Sequence, residues 1–311
     1  MSAIPVVIDC DPGHDDVVAL WLALGNPALD VRAVTTVGGN VPLPLTTMNA
    51  RVALTVAGVN DVPIAAGAAG PLVRELETAE FIHGENGLGG PELPTPTMPL
   101  DDRTAQQLMI DVIESATEPV AIIATGPITN VAILLRDRPQ LLPRIREVVW
   151  MGGSTERGNA TPYAEFNALV DPEALTIVLD SGVRFTMVGL NVTHQALLTA
   201  EVRERIIAIG NNTSRFSDDL MRFFCDTNEE IYGMLDGPLH DPVAVAVLAA
   251  PETVELVHTR LDVETTGTHT SGVTSVDLHG MLGREPNAYV AMGLDADAFW
   301  NHVIAAIATL D

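Results

Sequence analysis

Between Asp9 and Asp16 the chain places four carboxylates in eight positions, Asp9-Cys10-Asp11-Pro12-Gly13-His14-Asp15-Asp16. Few folds can hold such a run together. Ile4 to Ile8, just before it, is a short apolar, β-branched run of the kind a buried parallel strand needs, and Val17 to Leu24, just after it, reads as a helix. The acids therefore fall at a strand's carboxyl end. Period-two alternation sends Asp9 and Asp11 to one side and Cys10 to the other, and Pro12-Gly13 breaks the strand. Asp15 and Asp16 fall in the first helical turn, where a carboxylate caps free N–H groups and is favoured by the helix dipole. Four are too many for capping alone, because close carboxylates repel and raise one another's pKa unless a cation neutralises them. A bound metal resolves the conflict; the alternative is a solvated acidic turn in a protein acidic throughout.

The rest of the chain can supply a scaffold. It has 311 residues, 47% of them hydrophobic, enough for a large core and too apolar for disorder. Sixteen basic against 41 acidic residues leave a formal charge of −25, so nucleic-acid polymers and anionic membranes are excluded as partners. Cys10 and Cys225 are the two cysteines, in unrelated contexts, and no cationic-then-apolar leader precedes the first strand. A reduced, cytoplasmic setting is expected. Val243 to Ala250 falls well short of the ~20 residues a membrane span requires, so a soluble protein is expected.

Strands and helices alternate. A β-branched segment over 30–37 stops at Gly38-Gly39-Asn40, a helix is predicted over 45–57 and a strand over 62–66. Residues 67–99 are too rich in glycine and proline for much regular structure, and a loop of that length predicts a mobile active-site segment, with His83 to Gly90 its most polar part. A helix over 103–116, a strand over 120–124, the turn Thr125-Gly126-Pro127 and a helix over 129–136 follow. Further strands over 147–151 and 183–188 end at Gly152-Gly153 and Gly189-Leu190-Asn191, and Asp171-Pro172-Glu173 opens a helix. The pattern predicts one α/β domain over 1–311, with a mainly parallel, doubly wound sheet, helices on both faces and ligands at the strands' carboxyl ends. Residues 199–236 change to long helices and read as a lid. Segments over 255–265, 272–278 and 288–292 read as a short β meander near the C-terminus, and 296–310 as a closing helix. No glycine-rich phosphate cradle occurs at the strand ends, so a dinucleotide or P-loop reading lacks its central part.

His240-Asp241-Pro242 repeats the logic of the opening run, a polar pair after Gly237-Pro238 at a helix N-terminus. Alone, Asp241 is a cap and His240 a loop histidine. Together with the amino-terminal acids, they add a hard oxygen ligand and a titratable imidazole, as a metal-assisted hydrolase needs. Asn40, Thr125, Asn130, Asn159, Glu165, Asn167 and Asn191 sit at other strand ends. Each suits a turn; their recurrence points to a convergent hydroxyl-binding site.

These segments, taken in order, resemble the inosine–uridine-preferring nucleoside hydrolases. The likeness is carried by DCDPGHDD (Asp9 to Asp16), TTVGGN (Thr35 to Asn40), IHGENG (Ile82 to Gly87), ATGPITN (Ala124 to Asn130), MGG (Met151 to Gly153), AEFN with DPEA (Ala164 to Ala174) and HDP (His240 to Pro242). The resemblance implies hydrolysis of the N-glycosidic bond of a small-molecule ribonucleoside, giving ribose and free base, by a homodimer or homotetramer. It implies Ca²⁺ held by Asp11, bidentate Asp16, the main-chain carbonyl of Thr125 and Asp241, with Asp9 orienting them from behind. Ligation by oxygen alone independently favours Ca²⁺ or Mg²⁺ over Zn²⁺, and a high ligand count favours the larger ion. The ribose would be held by Asp15, Asn40, Asn159, Glu165 and Asn167, with Met151 beneath it. Asp11 would be the general base and His240 the acid, assisted by His83, which also contacts substrate.

The base pocket is where the likeness thins. Purine-preferring members stack the base on tryptophan, whereas Trp21, Trp150 and Trp300 fall in a helix, at a buried strand end and in the terminal helix. Histidines at 83 and 240 look more like the pyrimidine or broad-specificity branch, with Phe81, Phe166, Phe223, Phe224 and Tyr232 as candidate lining. Two rival readings stand beside this one. A Mg²⁺-dependent phosphohydrolase would use the strand-end Asp-x-Asp as nucleophile, but Pro12-Gly13, the extra Asp15-Asp16 pair and the lack of a nearby basic residue fit it poorly. A non-catalytic Ca²⁺-dependent nucleoside-binding protein would not need the full acid set.

Overall fold

Strand β1 (Ile4–Cys10) pairs in parallel on both sides, so both of its faces must be apolar. Val6, Ile8 and Cys10 enter one core layer and Val7 the other, all without solvent contact. Helix α1 (His14–Gly25) follows and is buried continuously from His14 to Ala23. It has no solvent face, which is why its sequence shows no polar stripe.

The computed structural model describes residues 2–311. The alternation continues with β2 (Leu29–Thr36), α2 (Leu43–Val56) and β3 (Ile64–Ala66). The long irregular stretch after β3 holds one turn of helix, α3 (Glu80–His83). It is tied down where Ala79 N donates to Asn40 O at 2.8 Å, where Leu88 is fully buried and where Arg51 Nε donates to Met98 O at 2.7 Å. Then come α4 (Ala105–Ser115), β4 (Val120–Ala124), α5 (Thr129–Asp137), β5 (Ile145–Met151), α6 (Phe166–Val170), α7 (Pro172–Asp180), β6 (Phe185–Val188) and α8 (Leu190–Thr193). Helices α9 (Ala200–Ile207), α10 (Asn212–Tyr232) and α11 (Asp241–Ala249) precede β7 (Val254–Val263), β8 (Thr274–Asp277), β9 (Ala288–Leu294) and α12 (Ala296–Ile307).

Nine strands form one sheet in the order β3-β2-β1-β4-β5-β6-β9-β7-β8. The chain steps outward from β1 to β3, then returns to the other side of β1 as β4. That reversal opens a crevice between the carboxyl ends of β1 and β4, where α/β sheets bind ligands. The two ends are level, because Asp9 is opposite Ala124 and Thr125 N donates to Asp9 O at 2.9 Å. Helices α1, α2, α11 and α12 cover one face, with α9 and α10 outside them, and α4, α5 and α7 cover the other. This is the doubly wound α/β architecture expected from the alternation.

The short antiparallel strand group expected near the C-terminus is present, in the order β9-β7-β8. It extends the central sheet, because β9 lies parallel to β6 and β7 pairs antiparallel with both β9 and β8. Val290 and Ala291 of β9 are fully buried in opposite core layers. The lid-like helices are also anchored. Phe216 of α10 meets Trp21 edge-on at 6.3 Å, and Leu220, Met221 and Phe224 are buried beneath. Among the described residues, no helix is long and apolar enough to cross a membrane.

Since α1 carries Asp15 and Asp16, its packing sets where they lie. Leu20 is fully buried in that helix. Leu20→Ala should cost about 2–5 kcal/mol of unfolding free energy through lost contacts and a residual cavity. Urea unfolding monitored by circular dichroism checks this, and a loss under about 1 kcal/mol would show that α1 is not a rigid support.

Candidate active site

Asp11 sits between two turns that only glycine allows. A Cβ at Gly39, after β2, would lie 2.0 Å from Asp11 Oδ2, and one at Gly126, after β4, would lie 2.4 Å from Oδ1. That closeness lets Asn40 N donate to Asp11 Oδ2 at 2.7 Å. The Asn40 amide also donates to Asp11 O at 3.1 Å and Asp16 Oδ2 at 3.3 Å. Asp16 accepts from Gly13 N at 3.0 Å and from Thr125 Oγ1 at 2.7 Å. Behind them, Asp9 Oδ1 accepts from Thr35 Oγ1 at 2.6 Å and Asn130 Nδ2 at 2.8 Å. Asp9 Oδ2 and Asp11 Oδ1 remain buried with no partner, and such orphans are costly unless something else satisfies them.

Asp241, the first residue of α11, closes the cluster from over 200 residues away. One carboxylate oxygen each from Asp15, Asp16 and Asp241 lies within 4.8 Å of the others, all buried. Burial raises every one of these carboxyls: Asp9 and Asp15 to about 7, with Asp16 adding repulsion on Asp15. Asp11 and Asp241 are pushed well above the carboxylate range, by burial and then by their acidic neighbours, and Asp16 is raised by burial. An oxygen-only donor set, an orphaned Asp11 oxygen and mutual repulsion fit a hard divalent cation. Asp15 belongs to this converging trio, although the sequence suggested only a sugar contact for it; it lines the cavity as well.

Above the acids is a cavity of about 620 Å³, counted out to its mouth. Asp15, Asn40, Thr125, Met151, Asn159, Glu165, Asn167, His83, His240 and Asp241 all line it, whereas Asp11 and Asp16 lie beneath the lining. No lysine or arginine does. The lining amides are oriented by their spare bonds. Asn167 Nδ2 donates to Thr125 O at 2.8 Å and Met151 O at 3.1 Å, which leaves its Oδ1 for a ligand. Asn159 Oδ1 accepts from Phe166 N at 2.9 Å, leaving its NH₂ group. Glu165 is chiefly an N-cap, accepting from Asn167, Ala168 and Gly153 main-chain N–H groups. Burial still pushes it up to about 7.

The outer wall comes from α3 and α10. Phe81, Phe166, Phe224 and Tyr232 line the cavity as the sequence suggested; Phe223 does not, and stacks on His14 instead. Trp21, Trp150 and Trp300 are buried outside the lining, with the Trp21 and Trp150 indoles bonded to Ala53 O and Gly126 O. Asn228 escaped the sequence reading. Its signal was spacing, since Phe224, Asn228 and Tyr232 recur every fourth residue on one face of α10. His240 Nδ1 lies 2.7 Å from Thr193 Oγ1, and burial, then His194, lowers its pKa to about 3. Burial likewise holds His83 well below the usual imidazole range.

Fold and pocket together define a doubly wound α/β enzyme that takes a small polar molecule over an acidic floor. Residues 6–301 match the inosine-uridine preferring nucleoside hydrolase family, and the chain belongs to it, as a hydrolase of N-glycosyl compounds. It is 45% identical over 298 residues to the pyrimidine-specific ribonucleoside hydrolase RihA of Escherichia coli K12, covering 96% of each chain. The RihA of Citrobacter koseri is 46% identical over the same length and coverage. Among solved structures, a purine-preferring ribonucleoside hydrolase from Gardnerella vaginalis superposes with a TM-score of 0.91 at 30% identity, covering 98% of each chain.

The raised carboxyls set a pH dependence for the metal-free protein. Asp9, Asp15 and Glu165 keep their protons up to about pH 7 when folded, but release them near 4 when unfolded. The folded state thus binds more protons in that window, and stability falls as pH rises through it. Chelated protein should show a melting temperature that drops between about pH 5 and 7.5, and Ca²⁺ added at the upper end should restore it. A melting temperature flat or rising over that interval, or indifferent to Ca²⁺, would contradict the cation site.

Proposed function

We propose that the enzyme hydrolyses pyrimidine ribonucleosides, uridine and cytidine ahead of inosine and adenosine, with Ca²⁺ held by Asp11, Asp16, Asp241 and the Thr125 carbonyl. The observation that carries this reading is one cavity whose lining brings together the acids Asp15 and Asp241, the amides Asn40, Asn159 and Asn167, and His83, Asn228, Tyr232 and His240. The relatives at 45–46% identity, pyrimidine-specific by name, support the base preference.

The chemistry such an ion supplies when bound is acidification of water and an anchor for vicinal hydroxyls. Asp11 offers its unpartnered Oδ1 as the base that takes the water's proton. Asp15, Asn40, Asn159, Glu165 and Asn167 hold the ribose hydroxyls, over Met151. Departure of the base leaves positive charge on the sugar, and the carboxylate floor stabilises that charge more as it grows. The Thr193 hydroxyl occupies His240 Nδ1 at 2.7 Å, so Nε2 is the nitrogen left to a ligand. Held neutral by burial, His240 offers the departing base a hydrogen bond, and His83 assists.

The segment 67–99 and the helices over 199–236 act as the loop and lid that admit substrate, and a cytoplasmic homodimer or homotetramer belongs to the same reading. The free thiols of buried Cys10 and Cys225 are in keeping with a reducing compartment. A phosphohydrolase is disfavoured by a lining without lysine or arginine. A non-catalytic binder is disfavoured by the complete acid set.

Purified protein assayed with uridine, cytidine, inosine and adenosine should release free pyrimidine with a kcat/KM about tenfold or more above that for purines. Chelation should remove the activity and Ca²⁺ restore it. Equilibrium binding without product, phosphate release from nucleotides alone, or indifference to chelator would each sink part of the assignment. His240→Ala should lower kcat on uridine by about 10²-fold or more, with a much smaller loss on 4-nitrophenyl riboside, whose leaving group needs no proton. Equal losses on both substrates would refute the leaving-group role.

A further inference from the structure

Beyond Met151, the last residue of β5, the chain crosses the carboxyl end of β6 and is caught by a residue 120 positions away from Ser154. Gly152 N donates to Val188 O at 3.1 Å, and Leu190 N donates to Gly153 O at 3.0 Å. Ser154 then meets Thr274, the first residue of β8. Ser154 N donates to Thr274 Oγ1 at 2.8 Å, and Thr274 Oγ1 donates to Ser154 O at 2.7 Å. One hydroxyl serves a main-chain donor and a main-chain acceptor at once, with its single hydrogen in one bond and a lone pair in the other. Ser154 and Thr274 are both buried, so loss of that hydroxyl leaves two main-chain groups unpaired away from water. Neither residue lines the cavity.

Two cavity-lining side chains lean on the strap from Met151 to Ser154. Gly153 N donates to Glu165 Oε2 at 2.8 Å, and Met151 O accepts from Asn167 Nδ2 at 3.1 Å. The other donors to the Glu165 carboxylate, Asn167 N and Ala168 N, belong to the helix it caps. Gly153 N is therefore the bond that sets this carboxylate against a second element. Gly153 stands at φ 70°, and a Cβ there would lie 2.7 Å from Thr274 Cγ2 and 2.8 Å from Met187 Sδ. Only glycine fits so close an approach at that φ. The loop before Thr274 also packs on α6, because a Cβ at Gly272 would lie 2.6 Å from Leu169 Cα. The connection from β7 to β8 thus touches both elements between which Glu165 is held.

We propose that Thr274 is a positioning residue. By pinning Ser154 it fixes the Gly153 N–H, and through that N–H it fixes the direction in which the Glu165 carboxylate faces the ribose. The inference rests on the nucleoside-hydrolase reading of the cavity. It gives β8, none of whose residues lines the cavity, a share in holding the sugar.

Thr274→Val keeps a methyl against Gly153 and removes both hydrogen bonds, whereas Thr274→Ser keeps the hydroxyl. Thr274→Val should lower kcat/KM on uridine by about 10- to 100-fold, the scale of a misplaced group. Thr274→Ser should stay within about threefold of wild type. Inhibition constants of 2′-, 3′- and 5′-deoxyuridine identify the hydroxyl on which Glu165 acts, since the analogue lacking it is the one that Glu165→Gln weakens least. Thr274→Val should spare that same analogue to within about threefold and weaken the other two by about tenfold or more. Equal weakening of all three, or a loss in Thr274→Ser as large as in Thr274→Val, would reduce Thr274 to packing and overturn the proposal. Wild-type protein provides a second readout if Thr274→Val fails to fold. In hydrogen exchange the Gly153 and Ser154 amides should be protected together, and a saturating deoxyuridine that keeps the Glu165 hydroxyl should slow both. A freely exchanging Ser154 amide, or one that the ligand leaves unchanged while Gly153 slows, would overturn the clamp. Wild-type protein that neither binds nor cleaves any nucleoside would instead overturn the functional reading, and Ser154 exchange in the ligand-free protein would still report on the Thr274 contact.

Discussion

Five carboxyl groups removed from water and held against one another are the constraint on which the site depends. Asp9, Asp11, Asp15, Asp16 and Asp241 are each at most 5% exposed. Their charge is answered from three directions. Side-chain donors come from Thr35, Thr125 and Asn130, and main-chain N–H groups from Gly13 and Asn40. Helices α1 and α11 both begin at the cluster, so the partially positive ends of two dipoles face the same acids. None of these carries a full positive charge, which leaves the balance to a cation.

The same frame serves relatives with different preferences for the base. A purine-preferring enzyme superposes on this chain along nearly its whole length, so the preference has to be written in side chains rather than in the sheet. The wall built by α3 and α10 is the place for it. It contributes Phe81, Ile82, His83, Phe224, Asn228 and Tyr232 to the cavity lining. The floor, by contrast, tolerates little change, because Gly39 and Gly126 leave Asp11 no room to move.

Legibility in the sequence followed the range of the interactions. The β1-to-α1 acids, the glycine-ended strands and the Asp171 cap all depend on neighbours within a few residues, and each stood where the sequence suggested. Asp241 could be tied to the amino-terminal acids only through the repeated Asp-at-a-helix-start pattern and the family likeness. The parallel seating of β9 beside β6 joins residues 103 positions apart, and no local pattern reports it. His14 was hidden differently: surrounded by acids in sequence, its ring turns toward His83 and Gly89, a choice made by tertiary packing. Asn228 was masked because one amide among the aromatics of α10 reads as surface until the helix face is known.

Helix α1 is enclosed by the last elements of the chain. It packs against α11 and α12, and Gly25 at its end accepts the Ala306 backbone so closely that a Cβ there would lie 2.2 Å from the carbonyl oxygen. The helix that carries Asp15 and Asp16 is therefore fully enclosed only when α11 and α12 have docked on it. During synthesis the acid cluster is completed only once Asp241 and α11 have been made. A chain cut before Asp241 would carry four of the five buried acids and would leave the apolar surface of α1 that α11 and α12 cover open to water.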